Sequence, residues 1–242
     1  ARISNADWAR AGRSPGWQEG SAHTAGDSEG KAPMPEPAPP RRGFRALVVA
    51  QFVGAFTDNA FLALCAAAFL PRRIRAAESL YPAFMAPFLL LSLHAGRVAD
   101  RFSKKSVIVA TRVASLLILL LAAFAASPRA PSFHLAAALL LGAAAAYFGP
   151  SKYGILPELV PGHRLSRANG VVQVSAIAAI LLGQAGGWML SGAGEFRAAL
   201  RALAALAAAG TLASLFITPV KAADPSKSLA FRPLRGLADD WS

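Results

Sequence analysis

Gly96-Arg97-Val98-Ala99-Asp100-Arg101-Phe102-Ser103-Lys104-Lys105 decides the fold, because this charged turn joins two apolar runs, Leu80–Val98 and Ser106–Ala126. Each run is close to the ~20 residues an α-helix needs to cross a bilayer. Outward from that turn the same alternation recurs. Apolar stretches at Phe44–Leu70, Phe133–Tyr153, Ala168–Leu190 and Ala198–Pro219 are separated by short clusters of charge, proline and glycine. The pattern predicts an all-α membrane protein in which these runs form a six-helix bundle. Composition agrees: 242 residues, 55% hydrophobic and 16% charged, with a mean hydropathy of +0.42 that soluble domains seldom reach. Gly142, Gly183 and Gly187 lie inside the runs, where small residues let helix backbones approach closely in lipid.

The net charge of +12 does not point to nucleic acid, since the Lys and Arg residues sit between apolar runs rather than in one basic stripe with interleaved aromatics. They report topology instead, because positive residues in short loops resist translocation. The larger set (Arg41, Arg42, Arg45; Arg97, Arg101, Lys104, Lys105; Lys152, Arg164, Arg167; Lys221, Lys227, Arg232, Arg235) assigns both chain ends, the second-to-third loop and the fourth-to-fifth loop to the cytoplasm. The smaller set, Arg72, Arg73, Arg75, Arg129, Arg197 and Arg201, takes the other side. Residues 1–42, rich in Gly, Pro, Ser and Ala, cannot bury a core and read as a disordered cytoplasmic tail with no signal-peptide core. Residues 43–220 form the transmembrane unit, and 221–242 read as the start of a central cytoplasmic linker. The chain begins at Ala1 and ends in the amphipathic charged stretch Leu234 to Ser242, the pattern expected of an incomplete reading frame. The single cysteine, Cys65, lies in an apolar run, so neither a disulfide nor a cysteine metal cluster is expected. No cofactor, metal or catalytic residue is indicated.

Three segments carry polar groups into the membrane. The first run holds Gln51, Thr57, Asp58 and Asn59. An acid near the bilayer centre costs roughly 2.5–3.5 kcal/mol, so Asp58 is expected to face a cavity or a partner. Gln51, Asp58 and Phe61 or Leu62 fall near helical spacing, which lets one stripe line a path while Phe52, Phe56 and Ala63 pack elsewhere. The alternative is a structural hydrogen bond, for example from Asp58 to the fifth run. The fourth run ends in Tyr147-Phe148-Gly149-Pro150-Ser151-Lys152-Tyr153-Gly154-Ile155-Leu156-Pro157-Glu158, which is too polar and too rich in Gly and Pro for an uninterrupted helix. Lys152 there is either a phosphate-binding ammonium beside the Tyr153 ring and hydroxyl or a snorkelling anchor. The fifth run opens with Ala168-Asn169-Gly170-Val171-Val172-Gln173, and Gln173 and Gln184 are neutral amides able to bond across helices. Gly183 and Gly187 form a small-xxx-small packing face there.

The turn, with glycine, a gap of three, Asp-Arg and then a basic pair, resembles the signature of the major facilitator superfamily. That resemblance implies a cytoplasmic latch built from Gly96, Asp100, Arg101, Lys104 and Lys105; the alternative is an ordinary positive-inside loop, which explains the bases but not Gly96 and Asp100 at this spacing. More specifically, Ala50-Gln51-Phe52 with Ala55-Phe56-Thr57-Asp58-Asn59, the Gly96–Lys105 turn, Ser151-Lys152-Tyr153-Gly154-Ile155-Leu156 with Glu158-Leu159, and Ala168-Asn169-Gly170 with Ile177 to Gly187 together resemble the lysophospholipid transporter family of that superfamily. The likeness covers about Arg42 to Pro219 and implies the N-terminal six-helix half of a twelve-helix transporter in a bacterial inner membrane.

The family likeness implies movement of lysophospholipids such as lyso-phosphatidylethanolamine to the cytoplasmic leaflet by alternating access. It puts Asp58 and Asn59 on a central path, with Lys152 and Glu158 near its inner end; Gln51, Tyr153, Asn169 and Gln173 are expected as further path residues from the sequence itself. Implied partners are the lipid substrate, surrounding membrane lipids, a C-terminal six-helix half and a fused or separate acyltransferase. Gln173 and Ser115 stand where members carry acids, so a charge relay through those positions is not carried over. Arg112, in the third run, is expected to snorkel to the inner surface about 10 Å away. Competing readings are an exporter of drugs or small metabolites, the membrane domain of an acyltransferase, and a non-transporting fragment. The chain has no His-x4-Asp acyltransferase motif, and it is read as a transporter rather than an enzyme.

Overall fold

The computed structural model describes residues 41–71, 73–125, 131–192 and 194–226. They form α1 (Arg41–Phe69), α2 (Ile74–Arg101), α3 (Lys104–Phe124), α4 (Pro131–Gly154), the short α5 (Leu156–Leu159), α6 (Leu165–Gly192) and α7 (Phe196–Leu215), with a 3-10 turn at Gly162–Arg164 leading into α6. Six of these helices are long and apolar enough to cross a membrane. The chain is a multi-pass helical membrane protein. The expected tail up to residue 40, Arg72, Arg129, Lys227, Arg232, Arg235 and the stretch Leu234 to Ser242 lie outside the described residues.

Beyond shifts of one to four residues at the other helix ends, two features differ from the sequence reading. The second helix begins at Ile74 rather than Leu80, because Arg75 and Glu78 lower hydropathy without opposing helix. More consequentially, Gly149 and Pro150 do not interrupt α4, which runs on through Ser151, Lys152 and Tyr153 to Gly154. Pro150 removes one amide donor, and spanning helices tolerate such a loss where neighbouring helices and side chains meet the freed groups. The chain breaks instead at Ile155, and α5 follows.

Within the bundle α1 packs against α6 and α7, α2 against α4, and α3 against both α7 and α4. Glycines set the closest approaches. A β-carbon on Gly142 would strike the backbone carbonyl of Phe84, and one on Gly187 would strike that of Ala60. The α4–α2 and α6–α1 contacts are therefore backbone to backbone, the use of small residues expected in lipid. One core joins Phe61, Leu64, Leu80, Leu119, Leu141 and Leu200. A second, at one end of the bundle, joins Leu47, Ile108, Phe148, Leu156, Leu159 and Ile217. Burial of Leu156 and Leu159 docks α5 and sets the course of the chain from α4 into α6.

That same end gathers the α1 start, the α2–α3 turn and the chain after α7. Lys105 Nζ donates to the Leu215 carbonyl at 2.9 Å. The Asp224 amide donates to the Asp100 carbonyl at 2.9 Å. Gly43 lies against Thr218.

Candidate functional site

Asp58 is on α1 and is 3% exposed. About 25 Å of helix separates it from Arg41, at 1.5 Å per residue, which puts it deep in the span. Its charge neighbour is Arg112 of α3, not a group of the fifth long helix. Arg112 is 4% exposed and does not snorkel. Its guanidinium lies sideways on α1, where Gly54, one turn before Asp58, has no β-carbon to exclude it. Its Cζ stands 4.3 Å from the centroid of the Phe148 ring. The aromatic face gives the buried cation a favourable contact in place of the water a snorkelling arginine would seek.

Lys152 extends this assembly from the last turn of α4. Arg112 is the charge acting on it, and its Nζ is 4.3 Å from the Tyr153 ring centroid and 6.0 Å from that of Phe148. One acid and two bases thus share an aromatic-lined region within the bundle. Asp58 Oδ1, Arg112 Nε, Ser115 Oγ and Ser151 Oγ are buried with no hydrogen-bond partner among the described residues. Unmet buried polar atoms are costly, and such atoms serve either water or a polar ligand.

The other expected path residues divide. Gln51 ties α1 to α6, its Nε2 donating to the Val172 carbonyl at 2.6 Å and to Ser175 Oγ at 2.9 Å. Asn59 donates to the Ala55 carbonyl of its own helix at 2.9 Å. Tyr153 donates its hydroxyl hydrogen to Gln173 Oε1 at 2.9 Å on an exposed face, linking α4 to α6. Asn169 is exposed near the α6 start. Glu158 pairs with Lys104 at 2.7 Å, so an expected path residue on α5 meets an expected latch residue. Gly96 faces open space, and Arg101 lies 6.0 Å from the Phe102 ring centroid.

Sequence reasoning singled out Asp58 and Lys152 as candidates but did not count Arg112, Gly54 or Phe148 among them. The available signal was the placement of a lone arginine inside an apolar run, with a glycine one helical turn from the only acid of α1.

Comparison with known proteins supplies the family. Residues 47–241 match the model of the Major Facilitator Superfamily. The chain is 38% identical over 198 residues to a protein of Cronobacter sakazakii named lysophospholipid transporter LplT, covering 80% of this chain and 47% of that protein. It is 36% identical over 191 residues to the protein of the same name from Escherichia fergusonii (77% and 46%). It is 35% identical over 196 residues to that of Serratia proteamaculans (77% and 46%). The chain thus spans about half the length of the relatives it matches. With six membrane-capable helices in the described residues and a family match over most of its length, the chain belongs to the Major Facilitator Superfamily and carries one six-helix bundle of that fold.

Proposed function

We propose that this chain is the N-terminal half of a transporter that moves lysophospholipids to the cytoplasmic leaflet of a bacterial inner membrane by alternating access. The observation that carries the reading is the Asp58–Arg112–Lys152 assembly inside the span, roofed by the Phe148 ring. A lyso-phosphatidylethanolamine headgroup pairs a phosphodiester anion with an ammonium. Arg112 and Lys152 suit the anion, and Asp58 suits the ammonium. The similarity to proteins named lysophospholipid transporter supports the same cargo class.

A second six-helix half supplies the opposing wall. The N-terminus is cytoplasmic and the linker between halves starts near Lys221. The Gly96–Lys105 turn acts as the latch, with the Lys104–Glu158 pair and the Asp100–Asp224 backbone bond holding it on this half. Asn59, Tyr153, Asn169 and Gln173 border the route. An acyltransferase, fused or separate, would consume the delivered lipid. The chain acts as a transporter, not as an enzyme.

Asp58→Asn tests the reading in membranes containing the complete transporter. The expected result is at least about a tenfold loss of inward lyso-phosphatidylethanolamine movement, equivalent to ~1.4 kcal/mol, at unchanged expression. Wild-type transport in this variant removes Asp58 from the mechanism.

A further inference from the structure

A cavity of ≈ 710 Å³ opens between the first turn of α1 and the chain that leads from α5 into α6. Arg45, His163, Arg164 and Arg167 line it together with the apolar side chains of Phe44 and Val171, and among the described residues no acid does. Arg164 and Arg167 are three residues apart and so share a face, while Arg45 approaches from the facing helix. None of these three guanidiniums has an ion-pair partner among the described residues. Cations converging on one cavity repel one another until an anion enters. The walls narrow the choice of anion: Phe44 is half-buried, and Val171 is 41% exposed. Both stand within the first two turns of helices long and apolar enough to cross a membrane.

A free phosphate would gain nothing from that apolar wall. An amphipathic anion uses both surfaces, and basic pockets between helices at a membrane face are suited to anionic headgroups. We propose that this cavity binds the headgroup of an anionic diacyl phospholipid of the leaflet adjoining the α2–α3 turn. The guanidiniums of Arg45, Arg164 and Arg167 hold its phosphate, and Phe44 and Val171 lie along the first methylenes. About 20 Å of α1 separates Arg45 from Asp58, at 1.5 Å per residue, so this site is distinct from the Asp58 assembly. It does not rest on the transport reading.

The test is thermal unfolding of the detergent-purified protein titrated with phosphatidylglycerol or phosphatidylcholine, since a ligand of the folded state raises Tm with its concentration. Phosphatidylglycerol is expected to raise Tm saturably and phosphatidylcholine not to. Each guanidinium neutralised (Arg45→Gln, Arg164→Gln, Arg167→Gln) is expected to raise the half-saturating lipid concentration about fivefold, from ~1 kcal/mol per basic residue at an anionic surface. The triple Lys variant keeps binding and guards against a folding defect, and Arg201→Gln, at the other end of the bundle, leaves the titration unchanged. Equal shifts with both lipids, an undiminished shift in the triple Gln variant, a shift reproduced by inorganic phosphate, or no shift at all because protein covers the cavity would each overturn the proposal.

Discussion

At Gly54 the Arg112 guanidinium occupies the place a β-carbon would take, so a residue without a side chain positions one with a charge. Alanine there adds helix propensity, up to ~1 kcal/mol over glycine, and the group it displaces is the flexible end of a long side chain. Gly54→Ala is therefore expected to leave Tm unchanged or slightly raised while transport falls about tenfold, because Arg112 is pushed away from Asp58 and Phe148. A parallel loss of Tm and transport would make Gly54 a packing residue only. How far the site could be read from sequence follows from the same residues. Asp58 was legible because one acid in an apolar run is costly wherever the helix turns. Arg112 was misread, since its distance along α3 from Lys104 allows either snorkelling or burial, and only the α1 face bearing Gly54 decides between them. The Lys104–Glu158 pair joins two segments whose proximity depends on how α5 docks, which local pattern does not encode.

Among the elements, α4 shows where reading by residue type fails. Gly149 and Pro150 look like a break, yet the helix continues to Gly154, because breaking a helix within a membrane costs more than losing one amide donor. Hydropathy located the spans well and their ends less well. The first turn of α2 carries Arg75 and Glu78, so a search for apolar runs starts that helix late. The glycines of α4 can be told apart only in three dimensions. Gly142 abuts the Phe84 backbone, whereas Gly149 has open space at its β-position. Gly142→Ala must force α4 from α2 and is expected to destabilise by ~1–3 kcal/mol, the range for overpacking, which thermal unfolding in detergent reads as a lower Tm. Gly149→Ala should be neutral or mildly stabilising. Equal effects of the two substitutions would mean that backbone contact does not set the α4–α2 distance.

Across the whole molecule, the bundle keeps large apolar side chains on its outside, with Leu89 86%, Phe124 90% and Met189 78% exposed, a surface suited to lipid or to another apolar protein face. Charge collects at the ends. Arg97, Arg101, Lys104, Lys105, Arg164, Arg167 and Lys221 lie at the end where the α2–α3 turn meets α5 and the chain after α7. Arg73, Arg75, Arg197 and Arg201 lie at the opposite end, near the starts of α2 and α7. The positive-inside bias predicts that the richer end is cytoplasmic, against the pull of Arg73 and Arg75. The single cysteine allows a direct test, because Cys65 is buried and a Cys65→Ala background carries no other thiol. In that background Ser166→Cys marks the richer end and Glu195→Cys the poorer one, both at exposed positions. A membrane-impermeant maleimide applied to intact spheroplasts is expected to label Glu195→Cys, and to reach Ser166→Cys only after permeabilisation. The reverse pattern would place the α2–α3 turn outside. The Arg73–Arg75 pair would then be the dominant topogenic signal, and a cytoplasmic latch at Gly96–Lys105 would be ruled out.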